Sequence, residues 1–67
     1  MYNIKNRIKD LRLERNLRQI DMAQQTGFGQ STIAQWENGT RLPSLEAIVA
    51  LAKFFNCTTD YLLGLED

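Results

Sequence analysis

Apolar residues recur along the chain at the spacing of amphipathic helices. Ile4, Ile8 and Leu11 follow the i, i+4, i+7 pattern, which predicts a first helix over residues 3 to about 15. Asn16 follows this helix as a plausible stop. β-Branched residues are sparse and nowhere alternate with polar residues over the length of a strand. The pattern therefore predicts an all-α protein.

Two further helices are predicted on either side of a glycine. The second helix is predicted over residues 19 to about 25, and the third over residues 30 to about 37. Gly27 lies between them, and glycine can take the positive φ that a sharp turn requires. Asn38 and Gly39 then form a strong stop for the third helix.

The chain after its single proline carries two more helix signals. Ser44 is predicted to cap a fourth helix over residues 45 to 55, and Thr58 to cap a short fifth helix that Gly64 ends. The sequence thus predicts one compact domain of five short helices over residues 1–67. The expected inward stripe of the fourth helix is Leu45, Ile48, Val49, Ala52 and Phe55. The expected core is Leu11, Leu17, Met22, Ala23, Ile33, Trp36, Leu45, Ile48, Ala52, Phe55 and Leu62.

The composition excludes several kinds of site. The 67 residues include no histidine and one cysteine, which excludes a Ser-His-Asp triad, a Cys-His dyad, a zinc site and an internal disulfide. Cys57 lies in the stretch FFNCTTDYLL, where a small apolar residue is expected to pack between helices rather than act as a nucleophile. No cofactor and no metal are expected, and nothing in the sequence favours an enzyme.

Charge is distributed unevenly although the formal net charge is zero. Residues 1–41 contain seven basic and four acidic residues, a net +3, and residues 42–67 contain one and four, a net −3. The basic part is the one suited to a polyanionic partner. The chain has neither an apolar run of roughly 18 residues nor the apolar core of a signal peptide, so a cytoplasmic location is expected.

A helix-turn-helix is indicated by the spacing between residues 19 and 38. Ala23 is small enough to let two helices approach closely, and Gly27 turns the chain between them. Ile33 and Trp36 would anchor the third helix so that its opposite face points outward, as entry into a DNA major groove requires. An ordinary αα-hairpin also needs a small residue and a glycine, so the spacing alone leaves that alternative open.

Residues 7–64 resemble the XRE-type helix-turn-helix of phage repressors, Cro proteins and bacterial regulators. The most specific pieces are TIAQWENG, PSLEAIVALAKFF and TDYLLG. The resemblance implies a five-helix, repressor-like domain in which the second and third helices, about residues 19–38, form the helix-turn-helix. It also implies binding to double-stranded operator DNA, commonly as a dimer on a two-fold-related site.

The resemblance assigns base-reading positions to the third helix. Gln30 and Ser31 match the start of the recognition helix, and Ala34 and Gln35 match its next exposed turn. The chemistry agrees, because a glutamine amide can bond adenine N6 and N7 bidentately and an alanine methyl can touch a thymine methyl. Taken without the motif, these positions are ordinary solvated surface.

Phosphate contacts are implied around the third helix. Gln19 would hydrogen-bond a phosphate and brace Gln30, the first residue of that helix. Arg18 stands where the family often has a serine or threonine cap, so it loses the cap and adds a cation beside the DNA backbone. The loop residues implied to follow the backbone are Asn38, Thr40 and Arg41. Outside this context Arg41 would be a loose surface charge.

Two further features lie outside the reading surface, an expected ion pair and a group of apolar residues. Arg12 and Glu37 occupy positions at which the family pairs an arginine with a glutamate, which implies a largely buried structural ion pair between the first and third helices. Phe54, Tyr61 and Leu65 form either a small patch for a homodimer or scattered exposed apolar residues of the ordinary kind.

These features predict a sequence-specific DNA-binding transcriptional regulator, with a repressor expected first. The alternative is a protein-interaction module on the same fold, such as an antitoxin-like partner. The sequence leaves open the operator, the regulated genes, the choice between repression and activation, and whether a longer protein continues past Asp67.

Overall fold

Five helices make up most of residues 3–66, the part of the chain that the computed structural model describes. They are α1 (Ile4–Glu14), α2 (Gln19–Thr26), α3 (Gln30–Asn38), α4 (Leu45–Phe55) and α5 (Thr59–Leu63). Each helix begins and ends within one residue of its predicted bounds, and the all-α prediction is confirmed. The longest helices have 11 residues, and none in this part of the chain is long and apolar enough to cross a membrane.

The helix ends follow the local chemistry that the sequence predicted. The Ser44 hydroxyl oxygen accepts a hydrogen bond from the Ala47 N–H at 3.1 Å, and the Thr58 hydroxyl oxygen accepts one from the Tyr61 N–H at 3.0 Å. Both side chains therefore cap the first turn of a helix. Asn16 follows α1 at a φ of 58°, a left-handed conformation that asparagine tolerates better than most residues.

The core lies where α1 and α2 pack on α3, and where α5 packs on α1 and α4. Its central side chains, all fully buried, come from each of the five helices and are Ile8, Met22, Ile33, Leu51 and Leu62. The remaining buried apolar residues are Ile4, Ala23, Trp36, Ala47, Ala52 and Phe55. Helix α3 is therefore supported on its inner side by α1 and α2 together.

The predicted inward stripe of α4 is partly wrong. Leu45 is 76% exposed and Val49 is 38% exposed, whereas Ala47 and Leu51 are buried. Nine of the eleven residues of this helix are apolar, so the periodicity alone supports more than one inward face. The observed face follows Ala47, Leu51 and Phe55 at i, i+4 and i+8, with Ala52 beside them.

Three other residues of the expected core lie at its edge. Leu11 and Ile48 are half-buried and pack against the core from outside, and Leu17 is half-buried in the connection between α1 and α2. Cys57 likewise packs against the core, as predicted. Burial raises the pKa of the Cys57 thiol above its ordinary value, which reduces the fraction present as nucleophilic thiolate.

The start of α1 and the end of the described chain lie side by side. The Asn3 N–H donates to the Leu63 carbonyl at 3.2 Å. The Arg7 guanidinium donates to the Glu66 carbonyl at 3.3 Å and lies over the Tyr61 ring, 4.2 Å from its centroid. These contacts keep both ends together on the side of α1 that faces α5.

Candidate nucleic-acid interface

The turn between α2 and α3 is held by contacts within a few residues. Gly27 takes a φ of 82°, and its N–H donates to the Ala23 carbonyl at 2.9 Å to end α2. Just beyond it, the Phe28 ring meets the Trp36 ring edge to face, with 5.0 Å between centroids. Because Trp36 lies one and a half turns into α3, this contact fixes the direction of α3 as it leaves the turn.

The two sides of α3 have different environments. Ile33 is fully buried and Trp36 is 4% exposed on the inner side. Gln30, Ser31 and Gln35 are exposed on the outer side, and their side chains make no hydrogen bond to other residues in the 3–66 range. Ala34 is half-buried beside them. The structure thus brings all four predicted base-reading positions onto the outer side of one helix.

An ion pair ties α1 to the last turn of α3. Arg12 donates to Glu37 through Nε at 2.7 Å and through Nη2 at 2.9 Å, and the two side chains are 9% and 5% exposed. The third donor, Nη1, bonds the Leu17 carbonyl at 2.7 Å. The hydrogen bond that Arg12 donates to Glu37 raises the pKa of Arg12, so the guanidinium stays charged. The geometry is the bidentate one that makes arginine–carboxylate pairs strong.

Gln19 bonds a different part of α3 from the one expected. Its Nε2 donates to Glu37 Oε1 at 3.2 Å, at the end of α3, and no hydrogen bond joins it to Gln30 within the described residues. The bracing of Gln30 by Gln19 on DNA stays a prediction. The contact with Glu37 is favourable because an amide donor binds a carboxylate more strongly than it binds a neutral side chain.

The start of α2 is capped by a residue other than Arg18. The Asp21 carboxylate accepts the Arg18 backbone N–H at 2.9 Å, and the Arg18 guanidinium at 2.9 and 2.8 Å. These hydrogen bonds lower the pKa of Asp21 to about 2. Arg18 remains 78% exposed, but part of its charge is offset by Asp21. This role of Asp21 was not predicted from the sequence, although a carboxylate three residues after a helix cap is a recognised signal.

The loop after α3 folds back on the helix end. Asn38 Oδ1 accepts the Thr40 N–H at 2.9 Å and the Thr40 hydroxyl at 2.7 Å. The Arg41 N–H reaches the Gln35 carbonyl at 3.3 Å. Asn38, Thr40 and Arg41 are all exposed. The loop therefore presents these three predicted phosphate contacts from an ordered turn beside α3.

An open groove runs between α1 and the last two turns of α3, and its volume is about 420 Å³. We call it the α1–α3 groove, and its lining residues are Lys9, Arg12, Gln19, Ala34, Glu37 and Asn38. Sequence reasoning assigned no role to Lys9. The spacing of basic residues could have indicated a role for Lys9, because Lys5, Lys9 and Arg12 share one side of α1.

Known proteins share this sequence pattern. The family described as helix-turn-helix matches residues 8–62. The transcriptional repressor RstR of the cryptic phage CTXphi in Vibrio cholerae is 44% identical over 50 residues, which is 75% of this chain and 45% of RstR. The transcriptional activator BcrR of Enterococcus faecalis is 34% identical over 61 residues, which is 91% of this chain and 30% of BcrR. The chain spans less than half the length of either relative.

The fold is also similar to that of a solved protein–DNA complex. The P22 c2 repressor, crystallised with a synthetic operator, superposes with a TM-score of 0.85 at 32% identity, covering 94% of this chain and 96% of that one. The helical order, the turn at Gly27 and the family match over residues 8–62 agree with one another. The chain belongs to the XRE-type, phage-repressor-like helix-turn-helix family.

Proposed function

We propose that this domain is a sequence-specific DNA-binding transcriptional regulator that reads the major groove with α3. The observation that carries the proposal is the division of α3 into two sides. Ile33 and Trp36 hold its inner side in the core, while the side chains of Gln30, Ser31 and Gln35 are exposed and make no hydrogen bond within the described residues. An α-helix held in this way fits a major groove.

The residues on the outer side of α3 suit base edges. The amides of Gln30 and Gln35 offer a donor and an acceptor each, which matches adenine N7 and N6. The Ser31 hydroxyl can donate or accept, and the Ala34 methyl can contact a thymine methyl. The likeness to a repressor crystallised on operator DNA supports this docking.

Contacts to DNA phosphates from residues around α3 would fix the position of this helix along the major groove. Arg41 is exposed on the loop after α3, and Arg18 is exposed at the start of α2. Asn38 and Gln19 add neutral amide donors beside the same helix, and the Thr40 hydroxyl, which donates to Asn38 Oδ1, lies next to them. The net +3 of residues 1–41, against −3 for residues 42–67, directs this part of the molecule toward a polyanion. Because few charges are involved, binding weakens only moderately as salt is raised.

The direction of regulation that we propose is repression by occupation of an operator. Relatives of this chain are named both as repressors and as an activator, so the shared fold serves either outcome. A domain of this size that occupies promoter DNA blocks other proteins by exclusion. The position of its site relative to a promoter decides between the two outcomes, and a reporter assay with the site placed at either position measures it.

Binding as a homodimer fits the geometry of the motif, because two-fold-related half-sites lie about 34 Å apart along DNA. The predicted patch consists of Phe54, Tyr61 and Leu65. The Arg15 guanidinium lies 5.3 Å from the Phe54 ring centroid, and Arg7 lies over Tyr61. Leu65, at 60% exposure, therefore offers the most accessible apolar surface of the three.

Sedimentation of two matched variants on and off DNA tests this patch. Leu65→Asp is expected to weaken cooperative binding to a two-fold site without changing the fold. Leu45→Asp is the control, because Leu45 is also largely exposed and lies outside the patch. Loss of the dimer in Leu45→Asp but not in Leu65→Asp would move the interface to the start of α4.

Selection of bound duplexes from a random pool tests the proposed function. The expected result is one preferred sequence with two-fold symmetry. Gln30→Ala combined with Gln35→Ala is expected to lose that preference while circular dichroism stays unchanged. The matched control is Gln24→Ala with Gln25→Ala, two exposed glutamines of α2. If the wild type prefers no duplex even at low salt, the DNA proposal fails and the protein-interaction alternative is favoured.

A further inference from the structure

Lys9 is a charged residue of α1 that has no charged or hydrogen-bonding partner among residues 3–66. It is exposed, and it makes no hydrogen bond or ion pair with other residues in the described range. Lys5 lies four residues before it, and like charges at this spacing repel each other and destabilise a helix slightly. Since Lys9 makes no such contact within residues 3–66, its position in the groove indicates what it can bind.

Lys9 lies on the wall of the α1–α3 groove, opposite the edge of the proposed reading helix. Ala34 and Asn38 line the other wall, and they follow Gln30 along one edge of α3 at i, i+4 and i+8. A DNA strand that borders α3 on this edge would pass directly over the groove. Gln19 lines the groove at the start of α2.

The charges inside the groove leave Lys9 uncompensated. Glu37 is the acidic lining residue, and it accepts two hydrogen bonds from Arg12 and one from Gln19. These two charges are largely buried and offset each other. The floor of the groove is therefore neutral overall, and the Lys9 ammonium group on its wall has no ion-pair partner within residues 3–66.

The remaining polar atoms are donors. Asn38 uses its carbonyl oxygen to accept from Thr40, which leaves its amide N–H groups for another partner. The Gln19 amide uses one N–H on Glu37 and retains a second. An ammonium group and two amide donors around an open groove are suited to an oxyanion with several acceptor oxygens.

We propose that the α1–α3 groove binds one backbone phosphate of the DNA duplex, with Lys9 as its charged ligand and Gln19 and Asn38 as neutral ligands. The proposal rests on the DNA-binding function proposed above and adds α1 to the contact surface. Lys9 contributes affinity without sequence information, because a phosphate is the same at every base pair.

The test is the salt dependence of binding by Lys9→Gln, measured on the selected duplex and on a scrambled one. Each phosphate contact contributes about 0.9 to the slope of log K against log [salt]. Lys9→Gln is expected to reduce the slope by that amount, so that between 50 and 200 mM salt its affinity falls by a factor about 3.5 times smaller than that of the wild type. The preference for the selected duplex over the scrambled one is expected to stay the same.

Two control variants make the result specific. Lys53→Gln removes the same charge from an exposed position on α4 and is expected to leave the slope unchanged. Lys9→Arg keeps the charge and is expected to retain the slope. An unchanged slope in Lys9→Gln overturns the phosphate site while the DNA-binding function stands. Absence of any duplex preference in the wild type overturns the proposed function instead.

Discussion

Arg12 and Glu37, 25 residues apart in the chain, meet through two parallel hydrogen bonds of 2.7 and 2.9 Å. The same guanidinium bonds the Leu17 carbonyl in the connection that leads to α2. One side chain of α1 therefore fixes both the entry to α2 and the end of α3. The last turn of the reading helix is held by this pair, and the neighbouring Trp36 contacts Phe28 in the turn that precedes the helix.

Glu37→Gln is expected to destabilise the domain by about 3–5 kcal/mol, because it leaves the Arg12 charge buried without its counter-ion. Urea unfolding followed by circular dichroism measures the loss. The comparison variant is Asp21→Asn, which disrupts an ion pair with the exposed Arg18 and is expected to cost much less. Equal costs in the two variants would contradict a structural role for the buried pair.

Stability is expected to fall in acid partly through Asp21. Hydrogen bonds from Arg18 lower its folded-state pKa to about 2, below the usual value of about 3.9 in an unfolded chain. The resulting stabilisation is present above pH 4 and is lost as pH falls through 2. Unfolding of Asp21→Asn is expected to depend less on pH between 4 and 2, and a carboxyl NMR titration measures the pKa. A pKa near 4 for Asp21 would rule out this contribution.

Leu51 and Leu45 lie on the same helix, but truncation is expected to destabilise the domain at Leu51 and to have little effect at Leu45. Leu51 is fully buried, so Leu51→Ala is expected to cost about 2–5 kcal/mol. Leu45 is 76% exposed, so Leu45→Ala is expected to change stability by less than about 0.5 kcal/mol. Chemical denaturation of both variants compares them directly. A large loss in Leu45→Ala would restore the inward stripe that the sequence predicted.

Alanine substitutions at Gly27 and Gly64 distinguish the cost of backbone strain from the cost of steric contact. Their φ values are 82° and 81°, so alanine at either position meets the same backbone cost of about 1–2 kcal/mol. A Cβ at Gly27 meets open space, whereas a Cβ at Gly64 lies 3.2 Å from the Asn3 backbone nitrogen. Gly64→Ala is therefore expected to cost more than Gly27→Ala in thermal unfolding. Equal losses would show that the Asn3 backbone yields freely.

The helices could be predicted because their ends depend on nearby residues. The caps at Ser44 and Thr58 and the left-handed stops at Asn16 and Gly27 act within one turn of each helix. The inward face of α4 could not be predicted in the same way. An almost wholly apolar helix can bury several faces, and the packing of α5 against α4 decides which one is buried.

In the candidate site, too, the positions set by local spacing could be predicted, and those set by the packing of helices could not. The outward position of Gln30 and Gln35 follows from the spacing of Ile33 and Trp36 on one short helix. The partner of Gln19 depends on how α2 lies across α3, because Glu37 is far from it in sequence and close in space. The same holds for Lys9, whose spacing is visible in the sequence while the groove it faces arises only on folding.

The separation of the two sides of α3 has a consequence for how such regulators diversify. The four outward residues bear little of the domain's stability, so they can be exchanged while Ile33, Trp36 and Glu37 keep the helix in place. A library randomised at Gln30, Ser31, Ala34 and Gln35 would therefore consist largely of folded members. Paralogues built on this scaffold could coexist in one cell and control separate sets of genes, because differences at these four side chains would give each a different DNA specificity.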